Sequence, residues 1–183
     1  CLSQEFFSKI LESGDIEENV TDQFYCESCD MFLPDRYVEG TCPHCEAEGA
    51  RGDQCDACGQ SYEQSELDKP HCAICESTPR IVPTKHWFFR LDRYEERLEE
   101  WLKGCEGWRD NVRNFARGIV REGLPARSIT RDLEWGVPVP LEEAKDKVLY
   151  VWFDAPIGYI SFTKEHFKGT DNPEEWREWW SDK

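Results

Sequence analysis

The chain has 183 residues, enough for one ordinary domain or two small ones, and only 39% of them are apolar. Its formal net charge of −16 excludes nucleic-acid binding through the overall field of the protein, so such a contact would need a local basic patch. The sequence shows no signal peptide and no apolar run long enough to cross a bilayer, so we expect no membrane partner.

The first predicted element is a short amphipathic helix over residues 3–13, which Gly14 ends. Residues 15–25 are predicted to be extended and to lead into the first of several cysteine pairs. The apolar face of the helix consists of Phe6, Phe7, Ile10 and Leu11.

Four Cys-x-x-Cys pairs lie between residues 26 and 75. Two thiols three positions apart fit one tight turn, and two such turns supply the tetrahedral set of four sulfurs that Zn²⁺ prefers. The regular spacing disfavours a disulfide framework, and four copies would be redundant for redox catalysis. We therefore predict two structural zinc sites. The pairs are Cys26/Cys29, Cys42/Cys45, Cys55/Cys58 and Cys72/Cys75.

Spacing leaves the grouping of these pairs open. A weak internal repeat, in which twelve or thirteen residues separate two pairs, favours joining the first pair with the second and the third with the fourth. A nested grouping would join the second pair with the third, across a compact loop of nine residues, and the first with the fourth. His44 and His71 lie beside cysteines, but thiols already fill every ligand position, so both are predicted to be turn residues.

Residues 84–131 are predicted to be mainly helical after an extended arm that ends near Phe89. The second helix has an apolar side and a side on which arginine recurs every four residues. This arginine stripe is either a phosphate-binding face that contacts RNA or a solvated face that pairs with carboxylates of the chain. His86 shows no ligand pattern and is predicted to be exposed or partly packed. The stripe consists of Arg109, Arg113, Arg117 and Arg121, and the apolar side of Val112, Phe115, Ala116 and Ile119.

The apolar run at residues 148–153 predicts a buried strand of a parallel sheet. Asp154 is a candidate N-cap for a following helix, with Ala155 and Pro156 in its first turn. A strand followed by a capped helix is typical of an α/β nucleotide-binding sheet, where ligands bind at the carboxyl ends of the strands. This places Trp152 to Tyr159 where a substrate would bind, although both aromatic residues could equally belong to a core.

Several segments of the chain resemble methionyl-tRNA synthetases, a family of class I aminoacyl-tRNA synthetases. FLPDRYVEGTCPHC (32–45) and DQCDACGQSYEQSEL (53–67) are similar to the zinc-knuckle insertion of that family. SITRDLEWGVPVP (128–140) and VLYVWFDAPIGYISF (148–162) are similar to the segments that follow the insertion.

The resemblance implies an α/β fold, namely a Rossmann-type catalytic domain interrupted by a zinc-knuckle insertion with helices. Residues 1–22 would end the first Rossmann half, residues 23–130 would form the insertion, and residues 131–183 would begin the second half. It also implies the nested grouping, with Cys42, Cys45, Cys55 and Cys58 at one structural zinc and Cys26, Cys29, Cys72 and Cys75 at the other.

The implied activity is that of a cytoplasmic ligase. Such enzymes activate L-methionine with ATP and Mg²⁺ to methionyl-adenylate and transfer the methionine to tRNA(Met). By position, Arg131 matches a catalytic arginine near the reacting phosphates. The residues that match the methionine pocket are Trp152, Ala155, Pro156 and Tyr159.

The chain lacks the His-x-Gly-His and Lys-Met-Ser-Lys-Ser motifs that class I synthetases use to bind ATP. We therefore expect it to be an internal fragment that is inactive alone. The alternative from the residues is a free-standing zinc-knuckle module that binds tRNA or another RNA.

Overall fold

The computed structural model describes residues 1–52, 54–60, 62 and 64–181, without the side chain of Asp35. The helices are α1 (Leu2–Glu12), α2 (Glu95–Gly104), α3 (Asp110–Glu122) and α4 (Val151–Phe167). The strands are β1 (Ile16–Cys26), β2 (Met31–Phe32), β3 (Val38–Thr41), β4 (Glu48–Arg51), β5 (Asp68–Cys72), β6 (Arg80–Phe89), β7 (Arg127–Ser128), β8 (Thr130–Arg131) and β9 (Val148–Leu149).

A long antiparallel ribbon of β1 and β6 forms the middle of the molecule. Its register runs from Ile16 opposite Phe89 to Tyr25 opposite Arg80, and β2 and β7 extend it to a sheet of order β2-β1-β6-β7. The extended segment predicted before the first cysteine pair is confirmed. The ribbon connects the cysteine-rich region at one end with α1 and the return segment, residues 127–149, at the other.

The cysteine-rich region, residues 26–75, has its own small core. A three-stranded antiparallel sheet of order β4-β3-β5 lies within it. Four cysteines are buried there together with a few apolar side chains, so thiols fill much of its interior. The buried residues of this core are Phe24, Cys26, Leu33, Val38, Cys42, Ala50, Cys55, Tyr62, Leu67 and Cys72.

A second core lies where α1 packs against the ribbon and the return segment. The predicted helix at 3–13 is confirmed as α1, and Phe7 on its apolar face is fully buried. Trp87 of β6 is also fully buried. The buried residues of this core are Phe7, Ile16, Trp87, Ile129, Val139, Ala144 and Leu149.

The predicted buried parallel strand at 148–153 is wrong in length and direction. Only Val148 and Leu149 are in a strand, which pairs antiparallel with β8, and every pairing between described strands is antiparallel. Helix α4 begins at Val151, with Tyr150 as its N-cap. Asp154 therefore lies in the first turn of the helix, and Pro156 lies inside the helix. The periodicity of a short apolar run does not distinguish a strand from the first turn of a helix, which explains the error.

Helices α2 and α3 pack against each other, and the two helices predicted after Phe89 are confirmed. The predicted apolar side of α3 is largely exposed, because Val112, Phe115 and Ile119 are not covered by the described residues. In the part of the chain that the structure describes, no helix combines the length and apolar character needed to cross a membrane. The predicted domain limits stay a prediction, and the limit at residue 22 lies inside β1.

Candidate metal centres and ligand cleft

Each cysteine pair forms a tight turn, and three of the four share one hydrogen-bond pattern. The carbonyl of the first cysteine accepts a hydrogen bond from the N–H four residues later, at 3.0 Å for Cys42 and 2.8 Å for Cys55 and Cys72. The residue after the second cysteine has a positive φ in all four turns, between 53° and 75°. These residues are Asp30, Glu46, Gly59 and Glu76. The sequence therefore builds the same turn four times, with glycine at this position only once.

The turns bring the eight thiols together in two sets of four, in the nested arrangement. Within each set the sulfur atoms all lie within 4.8 Å of one another. The outer set consists of Cys26, Cys29, Cys72 and Cys75, and the inner set of Cys42, Cys45, Cys55 and Cys58. Neither His44 nor His71 belongs to a set, and none of the described cysteines forms a disulfide.

The distances between sulfurs fit a tetrahedral thiolate site. The Sγ atoms of Cys26 and Cys75 are 3.5 Å apart, and those of Cys29 and Cys72 are 3.9 Å apart. In the inner set, Cys45 and Cys55 are separated by 3.7 Å. Four sulfurs bound to zinc at about 2.3 Å would be roughly 3.8 Å apart. The two sets are the only groups among the described residues whose geometry could hold a metal ion.

Hydrogen bonds and burial shift the pKa values of the thiols in both directions within each set. The Ser77 hydroxyl lies 3.1 Å from the Sγ atoms of both Cys26 and Cys75, and it lowers the pKa of Cys75 to about 6. The backbone N–H of Cys58 lowers the pKa of Cys55 to about 7. A hydrogen bond with Cys75 raises the pKa of Cys29 to about 12. The pKa of Cys45 is also raised to about 12, because burial and the neighbouring thiols outweigh the hydrogen bond from the Ala47 N–H. Each set thus combines a thiol of lowered pKa with one of raised pKa. Sequence reasoning missed Ser77, since a serine two positions after a cysteine carries no distinctive signal.

A cleft of about 960 Å³ separates the cysteine-rich region from the return segment and the start of α4. Gln64 and Glu66 line one side, and Arg131, Tyr150 and Trp152 line the other. The guanidinium of Arg131 stacks 3.7 Å from the centre of the Tyr150 ring and donates a hydrogen bond of 2.8 Å to the Thr130 carbonyl. The predicted catalytic arginine therefore lies in a cleft beside two aromatic rings, a position in which a cation could contact an anionic group.

The four residues predicted to line a methionine pocket lie on one face of α4. Trp152 and Pro156 line the cleft with Arg131, whereas Ala155 and Tyr159 do not. All four are exposed, Trp152 at 71% and Tyr159 at 70%. The helical spacing places these side chains next to one another, but the described residues do not enclose a pocket around them.

Three of the four arginines of the stripe pair with carboxylates of the chain. Arg117 and Arg121 lie 3.3 and 3.5 Å from Glu99 of α2, and Arg113 lies 3.0 Å from Asp110. The two contacts with Glu99 join α3 to α2, whereas the Arg113–Asp110 pair lies within α3. Pairing with carboxylates of the chain is what the solvated-face interpretation of the stripe predicts. Arg109 precedes α3 as its N-cap and is exposed.

The prediction that His86 is exposed or partly packed is wrong. The residue is 1% exposed, and its Nε2 lies 3.0 Å from an oxygen of Asp132. Burial opposes ionisation of Asp132, but hydrogen bonds from His86 and Lys147 outweigh it and hold the pKa of Asp132 below its ordinary value. These partners come from distant parts of the sequence, so no local motif could have revealed the pair.

Comparison with known families identifies the chain along its whole length. A family model described as tRNA synthetases class I (M) matches residues 1–183.

Curated relatives are similar over almost the whole chain. It is 51% identical over 179 residues to the methionine–tRNA ligase of Methanopyrus kandleri, covering 98% of this chain and 26% of that protein. The corresponding enzyme of Thermococcus kodakarensis is 52% identical over 181 residues, covering 98% of the chain and 24% of the relative. The chain thus spans about a quarter of the length of the curated relatives it matches.

Solved structures show the same fold. The apo form of Mycobacterium tuberculosis methionyl-tRNA synthetase matches with a TM-score of 0.57 at 21% identity, covering 98% of this chain and 31% of that one. The same enzyme in complex with methionyl-adenylate also gives a TM-score of 0.57, at 22% identity and with 30% of its chain covered. At this identity the likeness supports the mixed α/β architecture of a class I synthetase.

Proposed function

Since the chain belongs to the class I tRNA synthetases of the methionine type, we propose that it is the part of a methionyl-tRNA synthetase that carries the zinc-knuckle insertion. The whole enzyme would be cytoplasmic, would activate L-methionine with ATP to methionyl-adenylate, and would transfer the methionine to tRNA(Met). The observation that carries the proposal is about 50% identity over the whole chain to methionine–tRNA ligases.

We propose one Zn²⁺ at each set of four thiols, with a structural role. Four sulfurs complete a tetrahedral shell and leave no open position for a substrate or a water molecule. The ions would hold the turns together at the end of the ribbon that faces the cleft. Mg²⁺ would be bound with ATP by the whole enzyme, because no carboxylate cluster among the described residues could hold it.

Arg131 and the exposed face of α4 are the proposed contributions to the active site. A permanent cation at Arg131 would stabilise charge that develops on the phosphates during adenylate formation. Trp152, Ala155, Pro156 and Tyr159 would form one wall of the methionine pocket, where aromatic rings contact the thioether favourably. The chain covers about a quarter of its relatives, so the opposite wall would be supplied by the remainder of the enzyme.

The direct test is amino-acid-dependent exchange between ATP and pyrophosphate by the full-length protein. We expect exchange with methionine and none with leucine, isoleucine or valine. Trp152→Ala should raise KM for methionine by roughly tenfold or more, the scale on which an apolar contact is lost. Trp108→Ala, which alters an aromatic residue between α2 and α3, is the matched control and should leave KM unchanged. Exchange with another amino acid and not methionine would overturn the proposal.

RNA contact at the arginine stripe stays a prediction. Arg113→Glu together with Arg117→Glu should weaken tRNA(Met) binding by the full-length protein and flatten its salt dependence. Since Arg117 pairs with Glu99, the variant must be checked for folding, and Arg109→Glu tests the exposed end of the stripe separately. Unchanged tRNA binding in both variants would show that the arginine stripe does not contact tRNA.

A further inference from the structure

A cluster of polar side chains is enclosed between β6 and the return segment, next to the second core. Its members come from three separate stretches of the sequence, and none of them has a role in the chemistry proposed above. Thr130 is fully buried, His86 is 1% exposed, and the side chains of Asp132 and Lys147 are each 12% exposed. We name it the His86 cluster, and it consists of Thr84, His86, Thr130, Asp132 and Lys147.

Hydrogen bonds connect Trp87, Thr130, His86 and Asp132 in one series. Asp132 is ionised and can only accept, so the contact of 3.0 Å with His86 requires a proton on Nε2 of the histidine. The Thr130 hydroxyl oxygen accepts the Trp87 N–H at 3.2 Å and is hydrogen-bonded to Nδ1 of His86 at 2.8 Å. The chain of hydrogen bonds therefore runs from the backbone of β6 through Thr130 and His86 to Asp132.

Lys147 and Thr84 close the other end of the cluster. Lys147 donates to one oxygen of Asp132 and, at 2.9 Å, to the Thr84 hydroxyl. That hydroxyl in turn donates to the second Asp132 oxygen at 3.0 Å. The carboxylate of Asp132 is thus paired with the ammonium of Lys147, and both of its oxygens accept hydrogen bonds. Such a fully connected network fixes one arrangement of its members, because any other would leave a buried polar group unpaired.

Arg131 lies between two members of this cluster. Successive side chains of a strand point to opposite faces, so Thr130 of β8 points into the cluster while Arg131 lines the cleft. Asp132, which directly follows β8, bonds to His86 and Lys147 in the cluster. Both neighbours of the arginine are therefore fixed to β6 and to Lys147, whereas its guanidinium contacts Tyr150 on the other side. The cluster therefore anchors the residues on both sides of Arg131.

We infer that the His86 cluster is a positioning device for Arg131 during adenylate formation, which rests on the function proposed above. The cluster touches neither substrate nor phosphate. It acts by holding the backbone on both sides of the arginine, so that the guanidinium meets the reacting phosphates without first being ordered. A small displacement of a group that stabilises a transition state lowers the rate much more than it lowers substrate binding.

The test uses the full-length protein and a pair of variants at one buried position. Thr130→Val keeps the shape of the side chain but removes the hydroxyl that connects Trp87 with His86, whereas Thr130→Ser keeps the hydroxyl. Lys85→Gln is the control, because it breaks exposed ion pairs of the same strand with Glu18 and Glu143. Methionine-dependent exchange between ATP and pyrophosphate is measured for each, with thermal unfolding as the check on folding.

We expect Thr130→Val to lower kcat by roughly ten- to a hundredfold with KM for methionine changed by less than about twofold. Thr130→Ser should recover most of the rate, and Lys85→Gln should match the wild type. In an Arg131→Ala background, Thr130→Val should lower kcat by no more than about twofold further, because the two changes remove the same effect. If Thr130→Val does not fold, Asp132→Asn takes its place in the same cycle.

A folded Thr130→Val or Asp132→Asn variant with the wild-type kcat would overturn the inference. The inference would also be overturned if the variant lowered kcat by the same factor in the Arg131→Ala background as in the wild type. A merely structural role would act independently of the arginine in this way. These outcomes differ from failure of the proposed function, in which the wild-type protein itself would show no exchange with methionine.

Discussion

The cysteine-rich region and the core around Trp87 bury different kinds of side chain. Cys26, Cys42, Cys55 and Cys72 occupy the interior of the first, in places that apolar side chains fill elsewhere. The second core has no cysteine among its described members and is built from large apolar residues beside the His86 cluster. The two ends of one ribbon should therefore respond to different perturbations: loss of metal at one end and loss of apolar burial at the other.

Removal of metal is expected to have the largest effect and to act on one region only. A structural zinc contributes roughly 10–16 kcal/mol in small peptides, more than a core of this size supplies. A strong chelator at neutral pH should abolish amide-exchange protection of β3, β4 and β5, whereas α1 and the return segment keep theirs. Hydrogen exchange read by mass spectrometry measures both regions at once. Uniform loss of protection would show that the regions do not differ in this way.

The reverse perturbation is Trp87→Ala. Removing this fully buried side chain should lower the free energy of unfolding by roughly 3–5 kcal/mol while zinc content stays at two per chain. Trp135→Ala is the matched control, because Trp135 is 91% exposed, and the change should stay within about 0.5 kcal/mol. Denaturant unfolding and metal analysis on the same samples give the result. Loss of zinc from the folded Trp87 variant would contradict the division between the regions.

A smaller effect is expected from the turn geometry within the cysteine-rich region. Glu46 is exposed and has a φ of 59°, which non-glycine residues adopt at a cost. Glu46→Gly should stabilise the zinc-bound protein by about 0.5–1 kcal/mol, since relief of strain exceeds the added chain entropy. Gly59→Ala, at the equivalent position of the next turn, should have the opposite sign. Thermal unfolding with zinc present compares the stability changes of the two variants. Changes of the same sign would mean that the turns are not equivalent.

The sequence predicted the features that depend on residues close together in the chain better than those that depend on distant contacts. The four cysteine turns, α1 and the extended segment of β1 depend on spacing within a few residues, and the structure contains all of them. The grouping of the turns depends on contacts between distant residues, and spacing favoured neither alternative decisively. The run at 148–153 was misassigned because Trp152 and Phe153 fit a helix as well as a strand.

The same difference applies to the candidate site, where some residues were found from the sequence and others only from the structure. Resemblance to a family located Arg131 and the aromatic face of α4 in the sequence, and the structure places Arg131, Trp152 and Pro156 in one cleft. No sequence pattern paired Tyr150 with Arg131 or joined the members of the His86 cluster. His86 becomes informative only once the fold brings it together with Thr130 and Asp132 from a distant part of the sequence.

The grouping of the thiols is tested most directly by zinc content in two double variants that each remove two cysteines. Cys42→Ser with Cys55→Ser alters one set in the nested arrangement, so the protein should retain one zinc per chain after dialysis against a chelator. Cys26→Ser with Cys42→Ser alters both sets, so it should retain none. The opposite result, none in the first variant and one in the second, would show that neighbouring pairs share each ion and would contradict the arrangement described.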